Sequence, residues 1–295
     1  MGVVAQELLS YPDASTTSFE DRFVAFVDIL GFSSIVKHAA TDGDTFETLR
    51  DALENIDAQV KRLEEYRLWC ASLDPAARFL SAPTPIEMTA FSDCYLISGK
   101  ASDGAWAVFA AAQALGANLL AHDILTRGAV VLGAAYHQGK IAFGPAIIEA
   151  YDIERNIAKY PRILVTDSAR EAIRWENENF WHGQLLRPDT DGCPFINVLT
   201  PPLSKWSPLS SDTPLAVGDM KPFLGRIREF LRSRLETSRD DLAHLSKVRW
   251  LVHHFNLTAG EHGLTIDEGS ENTEQPAGNP TFAGLPAANK PPCDS

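Results

Sequence analysis

The stretch Phe23-Val24-Ala25-Phe26-Val27-Asp28-Ile29-Leu30-Gly31-Phe32-Ser33 decides the fold. Phe23 to Leu30 is a short run rich in Val, Ile and Phe, the composition of a buried strand. Asp28 interrupts that run near its end, where a strand delivers a carboxylate to the rim of a sheet. Gly31 follows closely, and an amphipathic stretch follows Gly31. A strand-to-helix turn is expected there, with the amides of Gly31, Phe32 and Ser33 beside the carboxylate and open to phosphate oxygens. A second aspartate sits in a similar setting, in Phe91-Ser92-Asp93-Cys94-Tyr95-Leu96-Ile97-Ser98. Glu87 to Ser98 reads as two strands about a tight turn at Ser92-Asp93, which places Asp93 at a hairpin tip. Together the two carboxylates and the turn point to a metal-nucleotide site.

Working outward, Phe46, Leu49, Leu53, Ile56, Val60 and Leu63 recur at three- and four-residue intervals, predicting an amphipathic helix from Asp44 to Trp69. Asp74-Pro75 and Pro83-Thr84-Pro85 punctuate the connection to the hairpin. The alanine-rich Gly104 to Leu125 is helical in propensity. Arg127 to Phe143 reads as a strand pair broken near His137-Gln138-Gly139. Gly144-Pro145 opens a helix through about Lys159, with proline in its first turn. Arg162 to Thr166 and Phe195 to Leu199 are short strands. Met220 to Asn256 reads as two helices meeting near Thr237-Ser238. The order is β-α-β-β-α-β, an α+β, ferredoxin-like arrangement with later additions. The expected organisation is an N-terminal extension over 1–20, a catalytic domain over 21–200, a C-terminal helical extension packed on the core over 201–260, and a disordered tail over 261–295.

Composition bounds the function. With 295 residues, 45% of them hydrophobic, the chain can bury a core of its own. A formal net charge of -13 argues against a nucleic-acid partner held by an electrostatic footprint. The apolar run from Gly104 to Leu120 is broken by Gln, Asn and Gly, so no membrane partner is expected. No charged n-region with a following apolar h-region opens the chain, and Cys70, Cys94, Cys193 and Cys293 form no C-x-x-C pair. A cytoplasmic location fits these features. Walker A, H-E-x-x-H and G-x-S-x-G motifs are all missing.

Asp28-Ile29-Leu30-Gly31-Phe32-Ser33 and Ser92-Asp93-Cys94-Tyr95 resemble the two metal motifs of the class III nucleotidyl cyclase catalytic domain, and the resemblance spans Phe23 to Thr166. Within that superfamily the chain most resembles the pyrimidine cyclases of bacterial Pycsar anti-phage defence. The residues concerned are Thr126-Arg127-Gly128-Ala129, Gly144-Pro145-Ala146, Ala150-Tyr151-Asp152-Ile153-Glu154, Tyr160-Pro161-Arg162-Ile163 and Lys247-Val248-Arg249-Trp250-Leu251.

The resemblance implies a βαββαβ class III cyclase core with extra C-terminal helices. It implies two Mg²⁺ or Mn²⁺ ions held by Asp28, Asp93 and the Ile29 carbonyl, and triphosphate oxygens received by the amides around Gly31, Phe32 and Ser33. Arg127 and Arg162, with Arg155 as an alternative, would supply positive charge. Purine cyclases of this class read the base with a lysine and an acidic residue; here Thr89 and Ile141 fall at those positions, which disfavours a purine but does not separate uracil from cytosine. The pyrimidine-cyclase resemblance implies UTP, with CTP as the alternative. Ile148 and Asp152 stand where the family carries an asparagine and an arginine. A symmetric homodimer with composite sites is implied, its cyclic product acting on a separate effector. A degenerate domain that binds nucleotide without turnover is the competing reading.

Other residues have plainer expectations. Glu154 is expected to partner one of the arginines, and Tyr136 and His137 to occupy a hairpin tip with a loop role. His253-His254 face different ways on a helix and read as packed or solvated, not as a metal pair. Trp250 and Phe255 are expected to dock that helix on the core.

Overall fold

In a computed structural model the described residues are 18–54, 56, 86–103, 105–179, 184–199 and 220–267. Strand β1 (Glu20–Ile29) leads into helix α1 (Phe32–Ala39) and a helix α2 whose described part covers 43–54. The remainder of the predicted Asp44 to Trp69 helix lies outside the described residues. Next come β2 (Ile86–Phe91), β3 (Cys94–Lys100), α3 (Trp106–Ala121), β4 (Thr126–Gln138), β5 (Ile141–Phe143) and α4 (Pro145–Asn156). Then follow β6 (Ile163–Val165), α5 (Asp167–Ala172), α6 (Arg174–Asn179), β7 (Leu186–Pro188), β8 (Pro194–Ile196), α7 (Met220–Thr237) and α8 (Leu242–Ala259).

The sheet order is β2-β3-β1-β4-β6-β8-β7, with β5 paired to β4 alone. β1 is central and antiparallel to both β3 and β4, and β6 is parallel to β4. The order β2-β3-β1-β4, with helices between β1 and β2 and between β3 and β4, is the expected ferredoxin-like arrangement in a mixed α+β fold. β1 begins at Glu20, ahead of the apolar run, because Glu20, Asp21 and Arg22 pair with Ala135, Ala134 and Gly133. The sequence offered no signal for β7, α5 or α6, each of which is six residues or shorter.

Alternation along β1 assigns its two faces. Phe23, Ala25, Val27 and Ile29 bury into a core with α2 and α3, whose Val108, Phe109, Leu115 and Leu119 are among the packed residues. α3 is apolar on all sides and almost wholly buried, as expected for a helix enclosed by sheet and neighbours. Val24 faces the other way, with Leu96, Ala129, Val131 and the α4 residues Ala146, Ala150 and Ile153. A third cluster joins α7 and α8 to Leu120, Leu125 and Leu199. Phe255 is fully buried in that cluster.

Three expectations need correcting. α4 ends at Asn156, short of Lys159, because Ala158 turns back to bond the Ile153 carbonyl and Pro161 disfavours helix at Tyr160. His137 is not at a hairpin tip. β4 runs through Gln138, and the His137 ring is 3% exposed, packed between Ser98 and Thr89. The tail is ordered through Asp267: the Asn256 amide donates to the Ile266 carbonyl at 2.9 Å and its oxygen accepts from the Ile266 N–H at 2.8 Å, while Ile266 buries its side chain. Residues 268–295 and 1–17 lie outside the described part. Among the described residues no helix is long and apolar enough to cross a membrane.

Candidate functional site

Asp28 sits in register between Cys94 on β3 and Arg127 on β4. Its place in the β1 alternation puts its side chain on the α4 face, with Val24 and Phe26. Asp93 arrives from the hairpin tip, where Ser92 adopts the left-handed conformation (φ 55°) that a two-residue connection requires. The Ile29 N–H donates to the Asp93 carbonyl at 2.9 Å, and the Leu30 N–H to the Leu125 carbonyl at 2.8 Å. These two bonds fix the end of β1 between the hairpin and the start of β4. Ligand-type atoms of Asp28, Asp93 and Cys94 lie within 4.8 Å of one another. The two aspartates predicted from sequence are thus brought together.

Gly31 has φ 74° and is the N-cap of α1, with the Ser34 and Ile35 N–H groups bonded back to its carbonyl. That conformation favours glycine because a Cβ would be strained there. First-turn amides of a helix have no intrahelical acceptor, so those of Phe32 and Ser33 are the donors available beside the carboxylates.

The electrostatics of the cluster follow from its burial. Partial burial pushes the Asp28 carboxyl up, opposed by Arg127 and reinforced by Asp93. The Cys94 thiol is pushed up to about 12 by burial and by the two carboxylates. It stays protonated and donates weakly to Asp28 Oδ1 at 3.6 Å and Asp93 Oδ1 at 3.7 Å. Two of the three groups are hard carboxylate oxygens, a donor set that suits Mg²⁺ or Mn²⁺. The Asp28 and Asp93 carboxylates fit such an ion.

Of the two predicted arginines, only Arg127 reaches the aspartates. Its Nε donates to Asp28 Oδ2 at 3.3 Å and also lies against Glu154 Oε1 from α4. Glu154 is therefore the expected arginine partner, and burial pushes its carboxyl up against the opposing effect of Arg127.

Arg162 is placed elsewhere. Its side chain is 2% exposed, paired through Nη1 with Asp189 and through Nη2 with Asp191 at 2.6 Å. Trp250 Nε1 donates to Asp189 Oδ2 at 2.8 Å, and the Trp250 ring stacks on Tyr160 at 5.7 Å. This hub clamps α8 to the sheet, so Trp250 docks as expected and Arg162 serves as an anchor. No sequence signal distinguished the two arginines, because the partners Asp189 and Asp191 lie in a polar loop read only as connection. His254 also belongs to the hub, 3.4 Å from Asp189, packed as expected.

Thr89 is also committed. Its hydroxyl donates to the Gly139 carbonyl at 2.7 Å and so accepts from His137 Nε2–H at 2.9 Å. That tautomer leaves His137 Nδ1 to accept from the Ser98 hydroxyl at 2.9 Å, and Ser98 Oγ accepts from Arg22 Nε at 3.1 Å. Ile141 and Ile148 are both exposed, on β5 and α4. Sequence reasoning missed the Arg22-Ser98-His137-Thr89 chain, since its members are far apart in sequence and alternation alone does not reveal a shared end of the sheet.

No protein-family model matches the chain, and no curated protein matches it. Similar folds occur among solved structures. The catalytic core of a rhodopsin-guanylyl cyclase with converted specificity, in complex with ATPαS, is 18% identical at a TM-score of 0.40, over 61% of this chain and 97% of that one. The monomeric guanylyl cyclase domain of the RhoGC fusion protein from the aquatic fungus Blastocladiella emersonii is 17% identical at 0.39, over 61% and 95%. A bacterial light-regulated adenylyl cyclase is 13% identical at 0.35, over 54% and 46%. Likeness at this level says nothing of chemistry, for which the residues of this chain are the guide.

Proposed function

We propose that the protein is a divalent-metal-dependent nucleotidyl cyclase that converts UTP, or in the alternative CTP, to the 3′,5′-cyclic monophosphate and pyrophosphate. The observation that carries this reading is the meeting of Asp28 and Asp93 at the end of a strand, beside a glycine-capped helix start and Arg127. In this reaction the ribose 3′-oxygen forms a bond to the α-phosphorus, the bond to the β-phosphate bridging oxygen breaks, and the hydroxyl proton leaves to solvent. Bound divalent ions would supply charge neutralisation for the attacking oxygen and the departing pyrophosphate. Asp28, Asp93 and the Ile29 carbonyl would hold them. The first-turn amides of α1 orient the triphosphate, and Arg127 offsets negative charge next to Asp28.

The pyrimidine preference rests on Thr89 and Ile141, neither of which offers a charge for reading a purine. The motif resemblance extends the proposal to a second messenger of bacterial anti-phage defence acting on a separate effector. A homodimer with composite sites is supported by apolar side chains left exposed around this face: Phe91, Ile141, Phe143, Ile148 and Tyr151. Tyr151 packs edge-on against Phe26, two residues from Asp28.

The placement of Arg162 favours a second reading. With Arg162 locked in the α8 hub, and with Ile148 and Asp152 where the resembled family carries asparagine and arginine, the domain would bind nucleotide without turning it over. Incubation of the purified protein with Mn²⁺ and each of ATP, GTP, CTP and UTP, with products identified by mass spectrometry, separates the two. A cyclic pyrimidine product lost in Asp93→Ala supports the cyclase; nucleotide binding with no product from any triphosphate supports the binding domain.

A further inference from the structure

Cys94 is the first residue of β3 and the register partner of Asp28 on β1. Alternation puts it on the same face of the sheet as Asp28, and Asp93 precedes it at the hairpin tip. Its Sγ lies 3.6 Å from Asp28 Oδ1 and 3.7 Å from Asp93 Oδ1. The other Asp28 oxygen, Oδ2, accepts from the Arg127 Nε–H at 3.3 Å, which leaves Oδ1 to face the thiol. All three residues are half-buried, neither sealed from solvent nor fully hydrated.

The two sulfur-to-oxygen separations match those of a tetrahedral ion. Bonds of about 2.3 Å to thiolate and about 2.0–2.2 Å to carboxylate oxygen, at the tetrahedral angle, put sulfur and oxygen about 3.6 Å apart. The right angle of octahedral coordination would bring them to about 3.1 Å at the same bond lengths. Mg²⁺ seeks oxygen alone, whereas Zn²⁺ accepts thiolate and carboxylate together.

Resting on the reading of Asp28 and Asp93 as ligands of a divalent ion, we propose that Cys94 is a third ligand of that site, which lets it take a thiophilic ion of the Zn²⁺ class through one thiolate and two carboxylates. The bond from Sγ to the metal forms as the thiol proton leaves to solvent, driven by the charge of the ion. Two positive charges then meet three negative donors, and a fourth position is left to water. Side-chain rotation alone closes the three groups on the ion, since their ligand atoms already lie within 4.8 Å of one another. Because the same carboxylates are used, the thiophilic ion competes with Mg²⁺ or Mn²⁺ for them.

The experiment adds Co²⁺, a spectroscopic stand-in for Zn²⁺, to the full chain without nucleotide and follows the sulfur-to-cobalt charge-transfer band in the near ultraviolet, on wild type, Cys94→Ser and Asp93→Ala. A Mn²⁺ titration of the same proteins, followed by electron paramagnetic resonance, reads the carboxylates, and Zn²⁺ added to the Mn²⁺-loaded chain reads the competition. The band is expected in wild type and lost in both variants. Zn²⁺ is expected to displace Mn²⁺ from wild type at a concentration about a hundredfold lower than from Cys94→Ser, the upper end of what even an outer-shell partner of a metal is worth. No band in wild type, a band left unchanged in either variant, or equal displacement in wild type and Cys94→Ser overturns the proposal, while Asp93-dependent Mn²⁺ binding leaves the metal reading standing. Mn²⁺ binding that survives Asp93→Ala, or none in wild type, sinks the metal reading and the proposal with it. Should Cys94→Ser fail to fold, alkylation of wild type by iodoacetamide, read at Cys94 by mass spectrometry, carries the test: Zn²⁺ must slow it, and an equal rate with and without Zn²⁺ overturns the proposal.

Discussion

Asp28 and Arg127 are directly opposed across β1 and β4, and the residue after Arg127 is a glycine whose missing Cβ would lie 2.3 Å from the Phe26 carbonyl oxygen. The close approach of the two strands at Gly128 is what sets the Asp28 and Arg127 side chains side by side. Gly128→Ala forces the strands apart at that point. It is expected to cost about 1–3 kcal/mol, the range for overpacking a well-packed interior, and to weaken Mn²⁺ binding along with stability. Urea unfolding and the Mn²⁺ titration check the two effects. An unchanged urea midpoint would mean that β1 and β4 have slack here.

Divalent ions should stabilise the folded chain through the same carboxylates. An ion that binds only the native state adds about 2.7 kcal/mol when its free concentration is one hundred times its dissociation constant. Thermal unfolding in excess Mn²⁺ is therefore expected several degrees above that in EDTA for wild type. No difference is expected for Asp93→Ala. A shift of equal size in both proteins would place the ion elsewhere.

The turn from β1 into α1 and the Asp93 hairpin were legible in sequence because each is local: an apolar run, a carboxylate, then a glycine or a two-residue turn. The ferredoxin-like order followed from periodicity, which reads strands and helices longer than about two turns. What sequence did not reveal was pairing between distant polar residues. Arg127 and Arg162 look alike as residues entering short buried strands. Only the fold shows that one meets Asp28 and Glu154 while the other is held by Asp189 and Asp191. His137 misled for a similar reason, because a strand that outruns its neighbour β1 looks, in sequence, like a turn. Leu264 and Ile266 were hidden in a segment whose average composition is that of a tail, and two apolar residues with the Asn256 amide suffice to hold it.

Stability should fall on mild acidification. Burial holds the His137 and His254 rings below the ordinary histidine value of 6.5, opposed at His137 by Glu87 and at His254 by Asp189. The unfolded chain therefore takes up protons first as pH drops through 6.5, and the folded state loses ground until the lowered values are passed. Protonation of His137 also removes the acceptor that Ser98 uses. Asp28 and Glu154, whose carboxyls burial pushes up, work in the opposite sense, adding stability as pH falls through their raised values. The urea midpoint is expected to drop between pH 7.5 and about pH 5.5, and by less in His137→Gln. A midpoint flat over that window, or an equal drop in the variant, would show that His137 contributes no linkage.

The C-terminal helix pair should depend on Asp189 more than on any of its apolar contacts taken singly. Asp189 accepts from Arg162 and Trp250 through Oδ2, from the Thr190 N–H through Oδ1, and lies 3.4 Å from His254. Its side chain and that of Arg162 are each 2% exposed, so neither charge has water to fall back on. Removing one partner of such a pair strands the other, at a cost of about 3–5 kcal/mol. Asp189→Asn keeps the shape and an oxygen for Trp250, but leaves Arg162 with Asp191 alone, which is 44% exposed and shares its charge with solvent. Trp250→Phe instead keeps the stack on Tyr160 and gives up one hydrogen bond, about 1 kcal/mol. The Arg162 carbonyl accepts from the Gly128 N–H at 3.0 Å, so a loosened hub is felt one residue from Arg127. Asp189→Asn is therefore expected to lower the urea midpoint well beyond Trp250→Phe and to weaken Mn²⁺ binding, while Trp250→Phe leaves that binding unchanged. If the two variants cost the same, the ion pair is not what holds α8 in place, and stacking on Tyr160 and packing of Phe255 carry the docking instead.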